Sequence, residues 1–183
     1  MRVISGSARG KRLESPEGLH TRPTTDRVKE SVFNLLQPYV YGASVLDAFA
    51  GSGALGIEAL SRGAVHSIFL ENDRAAAEIV RRNLSGTHLT EKATVYEGDA
   101  LSFLDRTSEK FSLIFLDPPY DSGLYTLVLE KISRKELLSE HGVIVAEQRA
   151  GETISLPDGL SVMKERKYGK TAIFVIGRED DTE

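Results

Sequence analysis

Residues 45–56 read VLDAFAGSGALG, and this stretch decides how the rest of the chain is interpreted. Its first residues are apolar, as in a buried strand, and Leu55 begins a helical pattern after a glycine turn. Such a turn points exposed backbone amides at a ligand, and its glycines allow the ligand to approach closely. The spacing of Gly51, Gly53 and Gly56 also fits the dinucleotide pattern G-x-G-x-x-G, so the turn alone does not identify the ligand.

Short apolar runs alternate with helical patterns on both sides of this turn. We predict strands at 45–46, 67–70, 93–96, 113–116 and 143–146, and helices at 55–61, 73–84, 100–104 and 125–132. Continuous apolar runs are typical of strands covered on both faces, and their alternation with helices predicts a parallel, doubly wound α/β sheet. Two further strands, at 160–163 and 171–176, flank the sequence KYGK (167–170), which predicts a C-terminal antiparallel hairpin.

The N-terminal residues, 1–40, are predicted to be an extension packed on a core formed by residues 41–183. Residues 2–14 favour a β-hairpin with its turn near 6–10. Thr24 or Thr25 is a suitable N-cap for an amphipathic helix that ends before Pro38. Its predicted apolar face contains Val28, Val32, Leu35 and Leu36, with Arg27, Lys29 and Glu30 off that face.

Composition limits the possible classes of protein. The chain has 183 residues, which fits one domain, and no cysteine, which excludes disulfides and thiolate metal sites. The four histidines are scattered, so we predict no metal site. The N-terminus has no apolar segment typical of a signal peptide, and we expect a cytoplasmic monomer. Residues 1–29 carry seven basic and three acidic side chains, whereas the whole chain has a net charge of −4. A basic arm on an acidic body suits a phosphate contact, although a solvated hairpin would look the same.

Acidic residues follow the first three strands of the predicted core, at Asp47, Glu71 and Asp99. The carboxyl ends of parallel strands lie along one edge of a sheet, so these acids should be neighbours. Glu71 is placed for ribose hydroxyls, Asp99 for an adenine amino group, and Asp47 for the ammonium of an amino-acid moiety. A carboxylate at Asp47 would repel a pyrophosphate, which favours S-adenosylmethionine (SAM) over NAD. One such acid could simply cap a helix, but three in succession favour a ligand. The predicted cofactor contacts are Asp47, Ala48, Phe49, Ala50, Gly51, Ser52, Gly53, Glu71, Asn72, Asp99 and Ala100.

A second motif, Asp117-Pro118-Pro119-Tyr120, follows the apolar run 113–116. An exocyclic amino nitrogen is a poor nucleophile because its lone pair is delocalised. The Asp117 carboxylate and the Pro118 carbonyl can accept both N–H bonds and direct the lone pair at a methyl donor, while the two prolines restrict the backbone. Tyr120 offers a ring on which the target base can stack. We predict all four residues to be catalytic; the sequence leaves open whether Asp117 also accepts the departing proton.

The two motifs together resemble those of class I SAM-dependent amino-methyltransferases. The stretches RPTTDRVKESVFN (22–34) and LDAFAGSGALGIEALSRG (46–63), with ISG (4–6) and GKRL (10–13), resemble the RsmD family of bacterial enzymes. This resemblance extends over about residues 2–177. It implies a Rossmann-like fold with a seven-stranded, mostly parallel sheet whose last pair is a hairpin.

The same resemblance implies an activity and a substrate. Enzymes of the RsmD family methylate N2 of one guanine in 16S ribosomal RNA, with the small ribosomal subunit, assembled or assembling, as substrate. The resemblance places 22–24 near the active site and 167–169 near the RNA. With the basic arm, it predicts RNA contacts from Arg9, Lys11, Arg12, Arg22, Thr24, Arg27, Lys29, Tyr168 and Lys170.

Other functions fit parts of the pattern. A DNA adenine N6-methyltransferase could use the same Asp-Pro-Pro-Tyr motif, but about forty N-terminal residues are too few for a DNA recognition domain. A protein glutamine methyltransferase more often has Asn at the position of Asp117. A non-catalytic RNA-binding assembly factor would have no need for the motif.

Overall fold

A computed structural model describes residues 1–17, 26–119 and 122–181 of the chain. The strands are β1 (Ser44–Asp47), β2 (His66–Glu71), β3 (Ala93–Glu97), β4 (Phe111–Leu116), β5 (Leu138–Arg149), β6 (Leu160–Tyr168) and β7 (Thr171–Arg178). The α-helices are α1 (Asp26–Leu35), α2 (Gln37–Val40), α3 (Ala54–Ser61), α4 (Arg74–Thr87), α5 (Ala100–Arg106) and α6 (Leu124–Arg134). Short 3₁₀ turns occupy Thr90–Lys92 and Glu179–Asp181.

The strands form one seven-stranded sheet in the order β3-β2-β1-β4-β5-β7-β6. Strands β1 to β5 are parallel, and β7 runs antiparallel to both β5 and β6. The predicted doubly wound sheet and C-terminal hairpin are therefore confirmed. The strand order reverses at β1 and β4, and ligands of such sheets bind at the carboxyl ends of the strands beside this reversal.

Each face of the sheet carries its own hydrophobic cluster. One cluster joins Phe115 of β4 and Val145 of β5 to Phe33 of α1, and also takes in α3, α4 and residues near the N-terminus. The other joins the alternate strand residues, such as Leu116 and Ala146, to α5 and α6. Because side chains alternate along a strand, these clusters show which face each strand residue occupies.

Residues 1–17, which we call the N-terminal arm, fold back on themselves as the sequence predicted. Arg2 forms an antiparallel bridge with Arg12, and the Val3 amide donates to the Lys11 carbonyl at 2.9 Å. The arm forms this single bridge and no longer strand ladder among its residues. Val3, Ala8 and Leu13 are buried in the same cluster as Phe33, so the arm is held by the core.

Of two expectations for the following helix, one was wrong and one is confirmed. Lys29 was placed off the apolar face of α1, yet its side chain is completely buried, together with Val32 and Phe33. The amphipathic helix α1 ends at Leu35, before Pro38, as the sequence predicted, and Pro38 lies in the first turn of the short helix α2, where no amide hydrogen is needed. The predicted N-cap, Thr24 or Thr25, falls outside the described residues.

Strand β5 extends on both sides of the predicted run 143–146. Its last three residues pair with β7, where Glu147 lies opposite Ile173 and Arg149 opposite Thr171. Because of this pairing, the polar segment Glu147 to Arg149 remains a strand and extends past the end of β4, at the carboxyl edge of the sheet. Strand β3 is an outer strand of the sheet, and its residues are exposed or half-buried. Its sequence predicted a strand buried on both faces, which was wrong. Within the described part of the chain, no helix is long and apolar enough to cross a membrane.

Candidate active site at the carboxyl edge of the sheet

The glycine turn after β1 has the backbone geometry that the sequence required. Gly51 and Gly53 have φ angles of 56° and 78°, and the Gly53 amide donates to the Ala50 carbonyl at 2.7 Å. A Cβ atom on Gly51 would meet nothing within 4 Å among the described residues, whereas one on Gly56 would lie 2.4 Å from the Phe69 ring. Gly56 therefore packs α3 closely on β2, and Gly51 faces open space that a ligand can enter.

Two of the predicted ligand-binding acids hold this turn in place. The Glu71 carboxylate accepts hydrogen bonds from the Gly51 amide and the Asp73 amide, both at 2.9 Å. Asp47 Oδ2 accepts one from the Gly56 amide at 3.1 Å. A carboxylate oxygen has a second lone pair, so these bonds leave capacity for ribose hydroxyls or an ammonium group.

The other predicted cofactor contacts lie along the same edge in different surroundings. Asp99 is exposed and caps α5, where its Oδ2 accepts from the Ser102 amide at 2.8 Å, so Oδ1 is the oxygen that a ligand could reach. Asn72 is exposed, and the half-buried Phe49 packs against the cluster below. Ala48 and Ala100 are buried, so only their backbones can meet a ligand.

The proline motif begins where β4 ends. Asp117 and Pro119 are exposed, and Pro118 between them is buried. Burial among surrounding protein atoms raises the pKa of Asp117 to about 7, and the negative charges of Glu147 and Asp47 contribute. Asp117 is also exposed, so water screens part of this rise in its pKa. Tyr120 lies outside the described residues.

Asp47 differs from Asp117 in being almost inaccessible, with 3% of its surface exposed. Burial raises its pKa to about 7, the Gly56 amide opposes this rise, and the Glu71 charge adds to it. Four adjacent strands thus carry carboxylates on one edge: Glu71 on β2, Asp47 on β1, Asp117 after β4 and Glu147 on β5. Sequence reasoning missed Glu147, although the rule that found the other acids, an acid directly after an apolar run, also applies to it.

The predicted RNA-contacting residues lie at several places on the surface. Arg9, Lys11 and Arg12 of the arm are exposed, as are Arg27 of α1 and Lys170 in the β6–β7 turn. Tyr168 is half-buried and packs against the cluster that contains Phe33. Arg22 and Thr24 lie outside the described residues.

Lys29 contradicts its predicted role. Its ammonium group is fully buried, donates to the Arg2 carbonyl at 2.6 Å and lies 3.2 Å from Glu58 Oε2. Burial lowers the pKa of Lys29, and the Glu58 carboxylate opposes that shift. A side chain enclosed in this way cannot contact RNA, so Lys29 is excluded from the RNA-contacting set.

Glu58 of α3 is the centre of this buried contact. Its two oxygens accept hydrogen bonds from the amides of Ile4 and Ser5, at 2.9 and 3.1 Å, and from Arg62 Nε at 2.8 Å. Farther along the arm, the Ser7 amide donates to the Ser61 carbonyl at 2.8 Å. These bonds fix the arm to the end of α3 that is remote from the glycine turn.

The other end of the arm is linked to the glycine turn through Asn83 of α4. The Glu14 amide donates to Asn83 Oδ1 at 2.8 Å, and Asn83 Nδ2 donates to the Ser52 carbonyl at 2.8 Å. The arm therefore runs along the whole of α3, about 12 Å at 1.5 Å per residue. Its basic side chains Arg9, Lys11 and Arg12 are exposed between these two attachment points.

The groups at this edge suit SAM. The open space above Gly51 admits a ligand close to the backbone, and the carboxylates of Glu71, Asp47 and Asp99 can accept from hydroxyl, ammonium and amino groups. The row of negative charge favours a cationic ligand over a pyrophosphate. In the described ranges, no three histidine or acidic side chains lie close enough together to hold a metal ion.

The strand order, the antiparallel β7 and the position of the glycine turn define a Rossmann-like class I methyltransferase fold. A solved structure described as "Putative methyltransferase yhhF from Escherichia coli" superposes with a TM-score of 0.88 at 34% identity, covering 98% of each chain. The family model described as "Conserved hypothetical protein 95" matches residues 1–177. The chain belongs to this family, the RsmD family that the sequence resembled.

Two relatives with curated descriptions match nearly the whole chain. "Putative rRNA methyltransferase YlbH" from Bacillus subtilis is 44% identical over 181 residues, covering 96% of this chain and 97% of the relative. "Ribosomal RNA small subunit methyltransferase D" from Escherichia coli is 36% identical over 180 residues, covering 98% of this chain and 90% of the relative.

Proposed function

We propose that this protein transfers a methyl group from SAM to the exocyclic N2 amino group of a guanine in 16S ribosomal RNA. The described functions of the two relatives, an rRNA methyltransferase and a small-subunit rRNA methyltransferase, support an rRNA substrate. The guanine target comes from the RsmD family resemblance.

One observation carries the proposal. Asp117 to Pro119 leaves β4 directly beside β1, the strand that leads into the glycine turn. A group that binds an amino nitrogen thus lies next to a group that suits a methyl donor. Such proximity and alignment of two reactants supplies much of the rate acceleration in group-transfer reactions.

Each group of the motif has a separate task. The Asp117 carboxylate and the Pro118 carbonyl accept the two N–H bonds of the target amine, which holds the nitrogen and turns its lone pair out of conjugation. SAM, when bound, would supply a methyl group already activated on a positively charged sulfur. The raised pKa of Asp117 makes this carboxylate a stronger base than an ordinary aspartate, and therefore a suitable acceptor for the departing proton.

Substrate binding is assigned to the exposed basic residues on the side of α3 and on the hairpin. Arg9, Lys11, Arg12 and Arg27 would meet phosphates on one side of the site, and Lys170 with Tyr168 on the other. Residues 1–40, the extension packed on the core, supply the first set, and residues 41–183, the methyltransferase unit, supply the second. Phosphate contacts of this kind position a large folded RNA without reading its sequence.

The test is transfer of labelled methyl from SAM to unmodified small ribosomal subunits, naked 16S RNA and duplex DNA, with the product nucleoside identified by mass spectrometry. N2-methylguanosine at one position of the ribosomal substrates is the expected result. N6-methyladenine in DNA would contradict the proposed substrate and keep the chemistry. Measurable SAM binding without transfer to any of the three would contradict the proposed activity on nucleic acid.

A further inference from the structure

Glu147 stands beside the proline motif on the neighbouring strand. Strands β4 and β5 are parallel and in register, with Phe115 opposite Val145 and Leu116 opposite Ala146. The next residues after these pairs are Asp117, which follows β4, and Glu147 of β5. Phe115 and Val145 belong to the same hydrophobic cluster, so alternation by two residues puts Asp117 and Glu147 on that same face of the sheet.

The backbone of Glu147 is fixed from two sides. Its strand pairs with β7 at Ile173, and the Tyr125 hydroxyl of α6 donates a hydrogen bond to the Glu147 carbonyl. A residue held in this way keeps its side chain at a defined distance from the neighbouring strand end, about 4.8 Å away in a sheet. The backbone of Glu147 is thus fixed beside the end of β4, on the rigid part of the scaffold from which a group that reads a substrate has to extend.

The Glu147 carboxylate is not used by the fold. It is half-buried, and its oxygens accept no hydrogen bond from residues 1–17, 26–119 or 122–181. Burial raises the pKa of Glu147, and its charge in turn raises that of Asp117. The Glu147 oxygens therefore keep their capacity to accept hydrogen bonds from a ligand.

The edge of guanine carries donors that match two adjacent carboxylates. Its N2 amino group lies next to N1, and N1 bears a hydrogen that points in nearly the same direction. Adenine and 2-aminopurine have a bare lone pair at N1 instead. Enzymes that act on an extruded base read this Watson–Crick edge by hydrogen bonds.

We infer that Glu147 is a specificity-determining residue that accepts the N1–H of the target guanine while Asp117 accepts an N–H of its N2 amino group. The inference rests on the proposed function and adds the reason why that site takes guanine. Whether Glu147 is ionised or protonated, one of its oxygens remains an acceptor for N1–H. In a base with a lone pair at N1, that lone pair would face the acceptor oxygen of Glu147. Two acceptors repel each other, so such a base would bind poorly.

The test uses small subunits reconstituted with RNA that has either guanine or 2-aminopurine at the nucleotide methylated by the wild-type protein. 2-Aminopurine keeps the reactive amino group and lacks only N1–H and the O6 carbonyl. The wild-type protein is expected to methylate guanine about tenfold to a hundredfold faster, the range for one hydrogen bond to a charged group. Comparable rates on the two bases would overturn the inference without any variant.

Two substitutions at Glu147 then separate its acceptor from its charge. Glu147→Ala should slow methylation of guanine about tenfold to a hundredfold and leave the rate on 2-aminopurine nearly unchanged, so the preference disappears. Glu147→Gln keeps a carbonyl acceptor and should retain most of the preference. Glu152→Ala removes the same charge from an exposed position after β5 and should behave as wild type.

The outcomes distinguish this inference from the proposed function. Glu147→Ala could lose activity on both bases equally or keep the wild-type preference for guanine. Either result would overturn the inference that Glu147 accepts the N1–H of guanine. A wild-type protein with no activity on guanine in the ribosomal substrate would overturn the proposed function itself.

Discussion

Glu58 and Asp47 are both buried carboxylates, but the protein treats them in opposite ways. Glu58 accepts hydrogen bonds from two arm amides and from Arg62, and it pairs with Lys29. Asp47 is 3% exposed, receives one bond from Gly56 and lies near further negative charge from Glu71 and Asp117.

The difference separates a group that supports the fold from a group that costs stability. A carboxylate surrounded by donors and a cation is satisfied, and its removal leaves them without a partner. A carboxylate surrounded by other carboxylates is unfavourable until a cation or donor arrives. The carboxyl edge of the sheet is therefore less stable than it could be, which is expected where a ligand completes the structure.

The largest effect on stability is expected from Glu58→Ala. This change leaves the buried Lys29 ammonium unpaired and frees the arm amides, so the free energy of unfolding should fall by about 3–5 kcal/mol. Urea denaturation at neutral pH measures it, with Glu152→Ala as the exposed control. A loss no larger than that of the control would show that the Glu58 contact does not stabilise the arm.

Asp47→Asn should increase the free energy of unfolding, whereas Glu58→Ala decreases it. The pKa of Asp47 is about 7 in the folded protein and 3.8 in the unfolded chain. Ionisation of this buried carboxylate therefore destabilises the fold fully above pH 7 and not at all below pH 4. Asparagine keeps an acceptor for the Gly56 amide and carries no charge. We expect it to raise the free energy of unfolding at pH 8 by up to about 4 kcal/mol, and not at pH 4.

Urea denaturation of both proteins at pH 4, 6 and 8 measures this difference, and SAM binding should weaken in the same variant. Equal stabilisation at every pH would mean that the charge of Asp47 is not the cause. Lower stability at pH 8 would show that Asp47 supports the fold as Glu58 does.

Arg27→Ala should have the smallest effect of these substitutions, a weaker binding of the RNA substrate. Arg27 is exposed on α1, where a phosphate contact would be one of several. Its removal should weaken binding of small subunits a few-fold and reduce the slope of log affinity against log salt by about 1. Arg134→Ala, on α6 across the sheet, is the charge-matched control. Identical binding by the two variants at every salt concentration would argue against an RNA surface on the arm side.

The sequence predicted those features that depend on local pattern. Alternating apolar runs and helical periods gave the doubly wound sheet, and KYGK between two strands gave the hairpin. The glycine turn could be assigned because Gly51 and Gly53 have to adopt positive φ angles. Acids after successive strands were found because parallel strands align their ends.

Features that depend on distant partners could not be predicted in the same way. Lys29 looked like a surface residue because its partner, Glu58, lies on another helix and only the fold brings them together. Glu147 directly follows the apolar run 143–146 and could have been found by the same rule as the other acids, but only the structure shows that pairing with β7 extends the strand through it. Asp99 was correctly placed at the edge, but only the structure shows that it also caps α5.

The most direct test of the account measures Asp117→Ala for both stability and methyl transfer. The Asp117 carboxylate accepts no hydrogen bond from the residues that the structure describes, so its removal should leave the free energy of unfolding unchanged or higher, and SAM binding should persist. Methyl transfer to small subunits should fall by about a hundredfold or more, because the lost contacts act in the transition state. A variant that unfolds more easily yet methylates at the wild-type rate would contradict the central claim, that Asp117 at this edge serves catalysis instead of stability.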